Sequence, residues 1–181
     1  MGGLRWAIII NMLSPPQLLE CLTAIGGSDT AAIRQATSTL KQHFKNPESM
    51  PQLLELSQSG EVHPYIRQLS LIFLRQFLIK LWSAYDAPTQ KTFKDLMLQH
   101  YMKQEDEASV LRALCHAIGS LSKIELGNDE WPELLQYILQ SLENGAEAAQ
   151  LAAMELLSNI IEYVRLTKEV YASTFTKLLE T

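Results

Sequence analysis

The side chains best suited to metal or nucleophile chemistry in this sequence are His43, His63, His100, His116, Cys21 and Cys115. None of them recurs at ligand spacing. Cys115 and His116 are neighbours, so on a helix they point about 100° apart and do not share a metal easily. The histidines therefore read as structural. The two cysteines lie far apart in sequence, each inside a helical run, and fit small buried hydrophobes in a reducing compartment better than a disulfide framework. Glu105-Asp106-Glu107 is acidic at a helix start, where capping and the helix dipole explain it. A catalytic carboxylate pair needs one member desolvated, and no such pair is apparent. Met1-Gly2-Gly3 and Gly26-Gly27 lack the strand and lysine of a phosphate loop. No catalytic, cofactor-binding or metal residue is assigned, and the expectation is a protein that is not an enzyme.

Composition agrees with a folded domain that works by contact. The chain has 181 residues, 47% of them hydrophobic and 19% charged, which is globular rather than disordered. Its formal net charge of -5 argues against nucleic acid as the main ligand and suits basic protein partners. The apolar stretch Leu4 to Leu13 is about ten residues long, too short to span a bilayer. Ser14-Pro15-Pro16 follows it instead of a cleavage site. Residues 1–15 are read as an extra N-terminal helix or a leader ahead of Met12, with residues 16–181 as the folded part.

From Pro16 onward the apolar spacing is helical. Leu18, Leu19, Leu22 and Ile25 recur at three and four residues until Gly26-Gly27. Ser28 or Asp29 caps the next helix, whose apolar face is Ala32, Ile33, Ala36, Leu40 and Phe44. Pro51 starts a shorter helix with Leu53, Leu54 and Leu56. Pro64 opens a helix apolar nearly all round, closed by Trp82 and Tyr85, and Pro88 starts its partner. Asp106 can cap a third long helix, with Gly119 inside it allowing close approach of a neighbour. Asn128-Asp129-Glu130 precedes Pro132, and Asn144 with Glu147 suggests a capping box for a fourth long helix through Val164. The run from Val170 to Leu179 reads as the start of its partner.

The chain repeats itself. Ile33-Arg34-Gln35-Ala36 and Ile66-Arg67-Gln68-Leu69 each open a long apolar helix, and Pro51-Gln52-Leu53-Leu54 is echoed by Trp131-Pro132-Glu133-Leu134-Leu135. Self-similarity at this period is the signature of a helical solenoid. The period is 33 residues at the first step and lengthens to somewhat above about 40 later, which fits HEAT-type repeats better than TPR. The predicted fold is all-α, a right-handed α-α superhelix of HEAT/armadillo-like type with about four helical hairpins, each a long helix followed by a proline-led one. It is expected to be open at its C-terminal end.

A solenoid presents a surface. The proline-led helices are expected to be the second of each pair and to line the concave face, where their polar stripes form one wall. Those stripes are Gln52, Glu55 and Gln58, then Lys94, Asp95 and Gln99, then Glu133, Gln136 and Gln140. Trp82 and Trp131, at helix edges, are expected to pack over the adjoining loops.

The run from Ile33 to Tyr101 resembles the N-terminal region of the importin-β (karyopherin) family. The resemblance is carried by Leu40-Lys41, Leu53-Leu54, Ile66-Arg67-Gln68, Leu74-Arg75, Trp82 and the lysine-bearing stretch Lys91 to Leu98, with the Trp131 phrase matching the next repeat. The pattern looks most like the importins that carry histones and ribosomal proteins. The resemblance implies a receptor moving between cytoplasm and nucleus through the pore. It would bind Ran-GTP through its inner, second helices, and the polar stripes above are the Ran-facing residues so implied. Nucleoporins and basic protein cargo are further implied partners. The short length departs from the family's long superhelices, so a HEAT scaffold unrelated to transport and a truncated competitor for Ran stand as alternatives.

Overall fold

In this computed structural model, residues 12–103, 107–126 and 131–161 are described. They form eight α-helices and no strand: α1 (Pro15–Ile25), α2 (Thr30–His43), α3 (Ser49–Gln58), α4 (Pro64–Leu81), α5 (Ala87–Met102), α6 (Ala108–Glu125), α7 (Pro132–Asn144) and α8 (Glu147–Ile160). A 3-10 turn, Trp82–Ala84, follows α4. The expected cap Asp106, the turn 128–130, Val164, the run Val170 to Leu179 and most of the N-terminal stretch lie outside the described residues. No described helix is long and apolar enough to cross a membrane.

Helix starts follow local chemistry. Asp29, rather than Ser28, caps α2 by accepting from the amides of Ala31 and Ala32 at 2.8 and 3.3 Å. Those amides have no partner within the helix, so the carboxylate satisfies them and complements the dipole. Asp86 does the same for α5 through Thr89, at 2.9 Å, and those bonds hold its carboxyl below the usual value. Ser14 starts α1 with its amide donating to Gln17 Oε1 at 2.9 Å. One expectation is corrected. Asn144 does not cap α8: it is the last residue of α7, closed by Gly145 N–H donating to Ser141 at 3.0 Å, and α8 begins after Ala146.

The described contacts divide the chain between Leu114 and Cys115, inside α6. In the first unit, α1 packs along α2 and α3 along α4, while α1 touches α3 and α3 touches α5. Phe44, just after α2, packs against Phe73 and Phe77 of α4, with ring centroids 5.3 and 4.8 Å apart. Thus α1, α3 and α5 form one row of helices, and α2 and α4 lie in a second. Leu22, Leu53, Leu71 and Leu74 are wholly buried between them. In the second unit α7 packs along α8. There a Cβ on Gly119 of α6 would stand 2.9 Å from Asn159 Cβ of α8, so glycine is what permits that approach.

The hairpins are therefore α1/α2, α3/α4 and α7/α8. The sequence reading paired each long helix with the proline-led helix after it, and the packing is out of step with that by one helix. The described architecture is an all-helical, HEAT-like solenoid, as expected. The shorter helices α3 and α7 are the first members of their hairpins, and α2, α4 and α8 are the second.

Candidate partner-binding surface

Among the described residues no set of His, Cys, Asp and Glu side chains gathers as a metal site. The histidines are spread through structural roles. His43 is buried, and its Nδ1 accepts from the amide of Leu13 at 3.2 Å. Burial pushes its pKa down, partly opposed by the neighbouring Gln52 amide. His63 caps α4 by accepting from Tyr65 N–H at 3.2 Å. His116 stands 4.0 Å from Glu155 on α8.

His100 belongs to a buried polar knot at the C-terminal ends of α3 and α5. Its Nδ1 lies 3.5 Å from Ser57 Oγ, and Arg67 Nε donates to the Ser57 carbonyl at 2.9 Å. Burial, with Arg67 and Lys103 adding positive charge nearby, pushes the pKa of His100 down to about 4. The ring is therefore neutral at physiological pH. Cys115 is buried and burial, with Glu155 nearby, pushes its thiol up to about 12, so it is an inert core group. Cys21 is only part-buried, which departs from the expectation of two buried thiols. Trp82 and Trp131 are 4% and 1% exposed, and Trp82 packs edge-on against Tyr85 and Phe93. Neither indole is on the surface.

The polar stripes are less uniform than their spacing suggests. Gln52 is half-buried, and its Nε2 donates to the Leu13 carbonyl at 3.3 Å. With His43 it holds both backbone groups of Leu13, which is a structural task. Gln58 accepts from Lys103 at 3.4 Å, and Asp95 pairs with Lys91 at 3.4 Å. Lys94 is half-buried, while Glu55 and Gln99 are exposed. The stripes on α3 and α5 lie on adjacent helices of the first unit. Glu133, Gln136 and Gln140 are exposed on α7 of the second. All nine residues sit on proline-led helices, of which α3 and α7 are first members of their hairpins.

The second helices carry a different surface that sequence reasoning did not single out. On α4, Tyr65, Ile72 and Ile79 are 46%, 37% and 44% exposed at seven-residue spacing, one line along the helix. On α8, Leu151 and Met154 are 60% and 59% exposed. Among the described residues, most of the large apolar side chains left exposed belong to these two helices and the residue after α8. A signal that fixes the hairpin phase was present. Pro16-Gln17-Leu18-Leu19-Glu20 is repeated as Pro51-Gln52-Leu53-Leu54-Glu55, so the proline phrase opens the first hairpin as well as the second.

Comparison with known proteins adds the family. Residues 36–103 match the family model described as the importin-beta N-terminal domain. The chain is 30% identical over 155 residues to a probable importin subunit beta-4 of Schizosaccharomyces pombe, covering 85% of this chain and 14% of that protein. It is 32% identical over 108 residues to human importin-4, covering 60% of this chain and 10% of that protein. Importin subunit beta-5 of Schizosaccharomyces pombe is 22% identical over 156 residues, 81% of this chain and 15% of the relative. The chain thus spans a small part of the length of each curated relative. By the domain match and these relatives, the chain belongs to the importin-β family, in that family's N-terminal region.

Proposed function

We propose that this chain contributes the Ran-binding end of an importin-type nuclear transport receptor, acting by stoichiometric binding and shuttling between cytoplasm and nucleus. The observation that carries this reading is the importin-beta N-terminal domain match over residues 36–103. The GTPase chemistry belongs to Ran on this view, and the chain selects the GTP form. Nucleoporins and a basic protein cargo, of histone or ribosomal-protein type, are the further partners implied.

On the family resemblance, Ran is expected against the second helix of each hairpin. The observed hairpin phase supports α2, α4 and α8 for that role. The polar stripes of α3, α5 and α7 are then the comparison set: Gln52, Glu55, Gln58, Lys94, Asp95, Gln99, Glu133, Gln136 and Gln140.

The test is calorimetric titration of the folded chain with Ran loaded with a non-hydrolysable GTP analogue, and separately with GDP. Binding confined to the GTP form is expected. It should weaken in an Arg34→Glu variant on α2 and persist in a Glu55→Lys, Gln99→Lys double variant on the stripes. Loss in the stripe variant alone would return the site to the proline-led helices. No binding to either form by a cooperatively folded chain overturns the Ran reading and leaves a HEAT scaffold as the better account.

A further inference from the structure

The second-row helices of the first unit carry charge of one sign only. α2 and α4 contain Arg34, Lys41, Arg67, Arg75 and Lys80, and no Asp or Glu. Lys45 follows directly after α2. Arg67 is buried, whereas Arg34, Lys41, Lys45, Arg75 and Lys80 are exposed. Among the described residues, no ion pair engages any of these five exposed cations. The first-row helices mix the two signs, with the carboxylates Glu20, Glu55 and Asp95 beside Lys91 and Lys94. In a chain of net charge -5, a helix pair with cations alone is a local reversal of sign.

The same helix pair exposes apolar surface. Phe44 against Phe73 and Phe77 brings the last turn of α2, with Lys41, beside the middle of α4. Phe73 and Phe77 are half-buried there, Lys80 Nζ stands 5.5 Å over the Phe77 ring, and Ile72 and Ile79 are exposed on α4. Cations bordering an apolar line suit a ligand that offers carboxylates and apolar side chains together. A nucleic acid would use the cations and leave Ile72 and Ile79 without a partner. A basic segment, the complement of the chain as a whole, would meet like charge on this face.

We propose that the α2–α4 face binds an acidic protein segment bearing apolar side chains at helical spacing, with carboxylates meeting Lys41, Arg75 and Lys80 and apolar groups covering Ile72 and Ile79. This goes beyond the Ran reading and does not rest on it, although both use second-row helices. Association depends on salt, because exposed charges are screened within about 8 Å at physiological ionic strength. Apolar contact supplies the part that salt does not remove.

The test is fluorescence anisotropy of the full chain with a labelled peptide of repeated Glu-Glu-Leu-Leu units, with no GTPase present. Controls are the same peptide with every Glu replaced by Lys, and a labelled single-stranded oligonucleotide. Saturable binding of the acidic peptide alone, weakening as salt rises, is expected. The Lys41→Glu, Lys80→Glu double variant should weaken it by at least about tenfold. Ile72→Ser should weaken it too, and Glu55→Lys on α3 should leave it unchanged, with each variant's fold checked by circular dichroism. Equal binding of the two peptides, preference for the oligonucleotide, no binding, or indifference to the charge reversals overturns the proposal. Failure of Ran to bind leaves it standing.

Discussion

Arg67 Nε donates to the backbone carbonyl of Ser57 at 2.9 Å, ten residues back in the preceding helix. Ser57 is in the last turn of α3, where carbonyls have no partner within the helix and carry the negative end of its dipole. The guanidinium therefore closes α3 from α4, locking the two members of one hairpin together. Arg34 occupies the same place in the twin phrase of α2 and is exposed.

The twin arginines should behave unequally. Arg67→Ala removes a charged hydrogen bond and leaves a buried carbonyl unmet, and is expected to cost about 2–4 kcal/mol. Arg34→Ala should change stability by about 0.5 kcal/mol or less. Urea denaturation followed by circular dichroism measures both. Equal effects would show that the Arg67 contact does not hold the hairpin.

Two glycine substitutions should have opposite signs. Gly119→Ala places a methyl 2.9 Å from Asn159 Cβ, a group that cannot swing away. Overpacking of about 1–3 kcal/mol should outweigh the helix-propensity gain of up to about 1 kcal/mol, lowering the melting temperature. Gly60→Ala meets nothing within 4 Å and should raise stability by about 0.4–1 kcal/mol by restricting the unfolded chain. A more stable Gly119→Ala protein would count against the close approach of α6 and α8.

Stability should fall as the solution is acidified through the range set by His100. Its ordinary pKa is 6.5 and its folded value is about 4. Between those values the unfolded chain binds a proton that the folded chain does not, so stability rises with pH across the window. It is complete above about pH 6.5, and the loss levels off near pH 4. The contribution is up to about 3 kcal/mol. His100→Leu should flatten this part of the profile, measured as denaturation midpoint against pH. His43, whose pKa is also pushed down, adds a residual slope of the same sign.

The two thiols should separate by accessibility. Cys21 is part-buried and its pKa is raised by burial and by Glu20, so it should react slowly with a chromogenic disulfide reagent in the folded protein. Cys115, fully buried and pushed up to about 12, should react only on unfolding. A stoichiometric count with and without denaturant distinguishes them. Reaction of both thiols in the folded chain would mean that α6 opens locally.

The amino-acid sequence by itself determined the helices and their repetition. Apolar residues at three- and four-residue spacing, with Asp29, Pro64 and Asp86 at the starts, dictate helical segments through local hydrogen bonding and sterics, whichever neighbour they later meet. The recurring phrases also carried the solenoid and the family resemblance. Spacing alone left the phase of the hairpins open. Each helix is followed by a short turn, so apolar spacing and loop closure favour neither order, and only the repeat of Pro16-Gln17-Leu18-Leu19-Glu20 as Pro51-Gln52-Leu53-Leu54-Glu55 pointed to proline-then-long. Packing shows the phase directly: α3 lies along α4, and the Phe44 contact sets α2 beside α4. Tertiary structure likewise decided what similar residues do. Gln52 fits a polar stripe by spacing, yet its amide is committed to Leu13, and Ile72 looks like core yet faces outward. Burial depends on which helix arrives alongside, and that is settled by long-range contacts the local sequence does not encode.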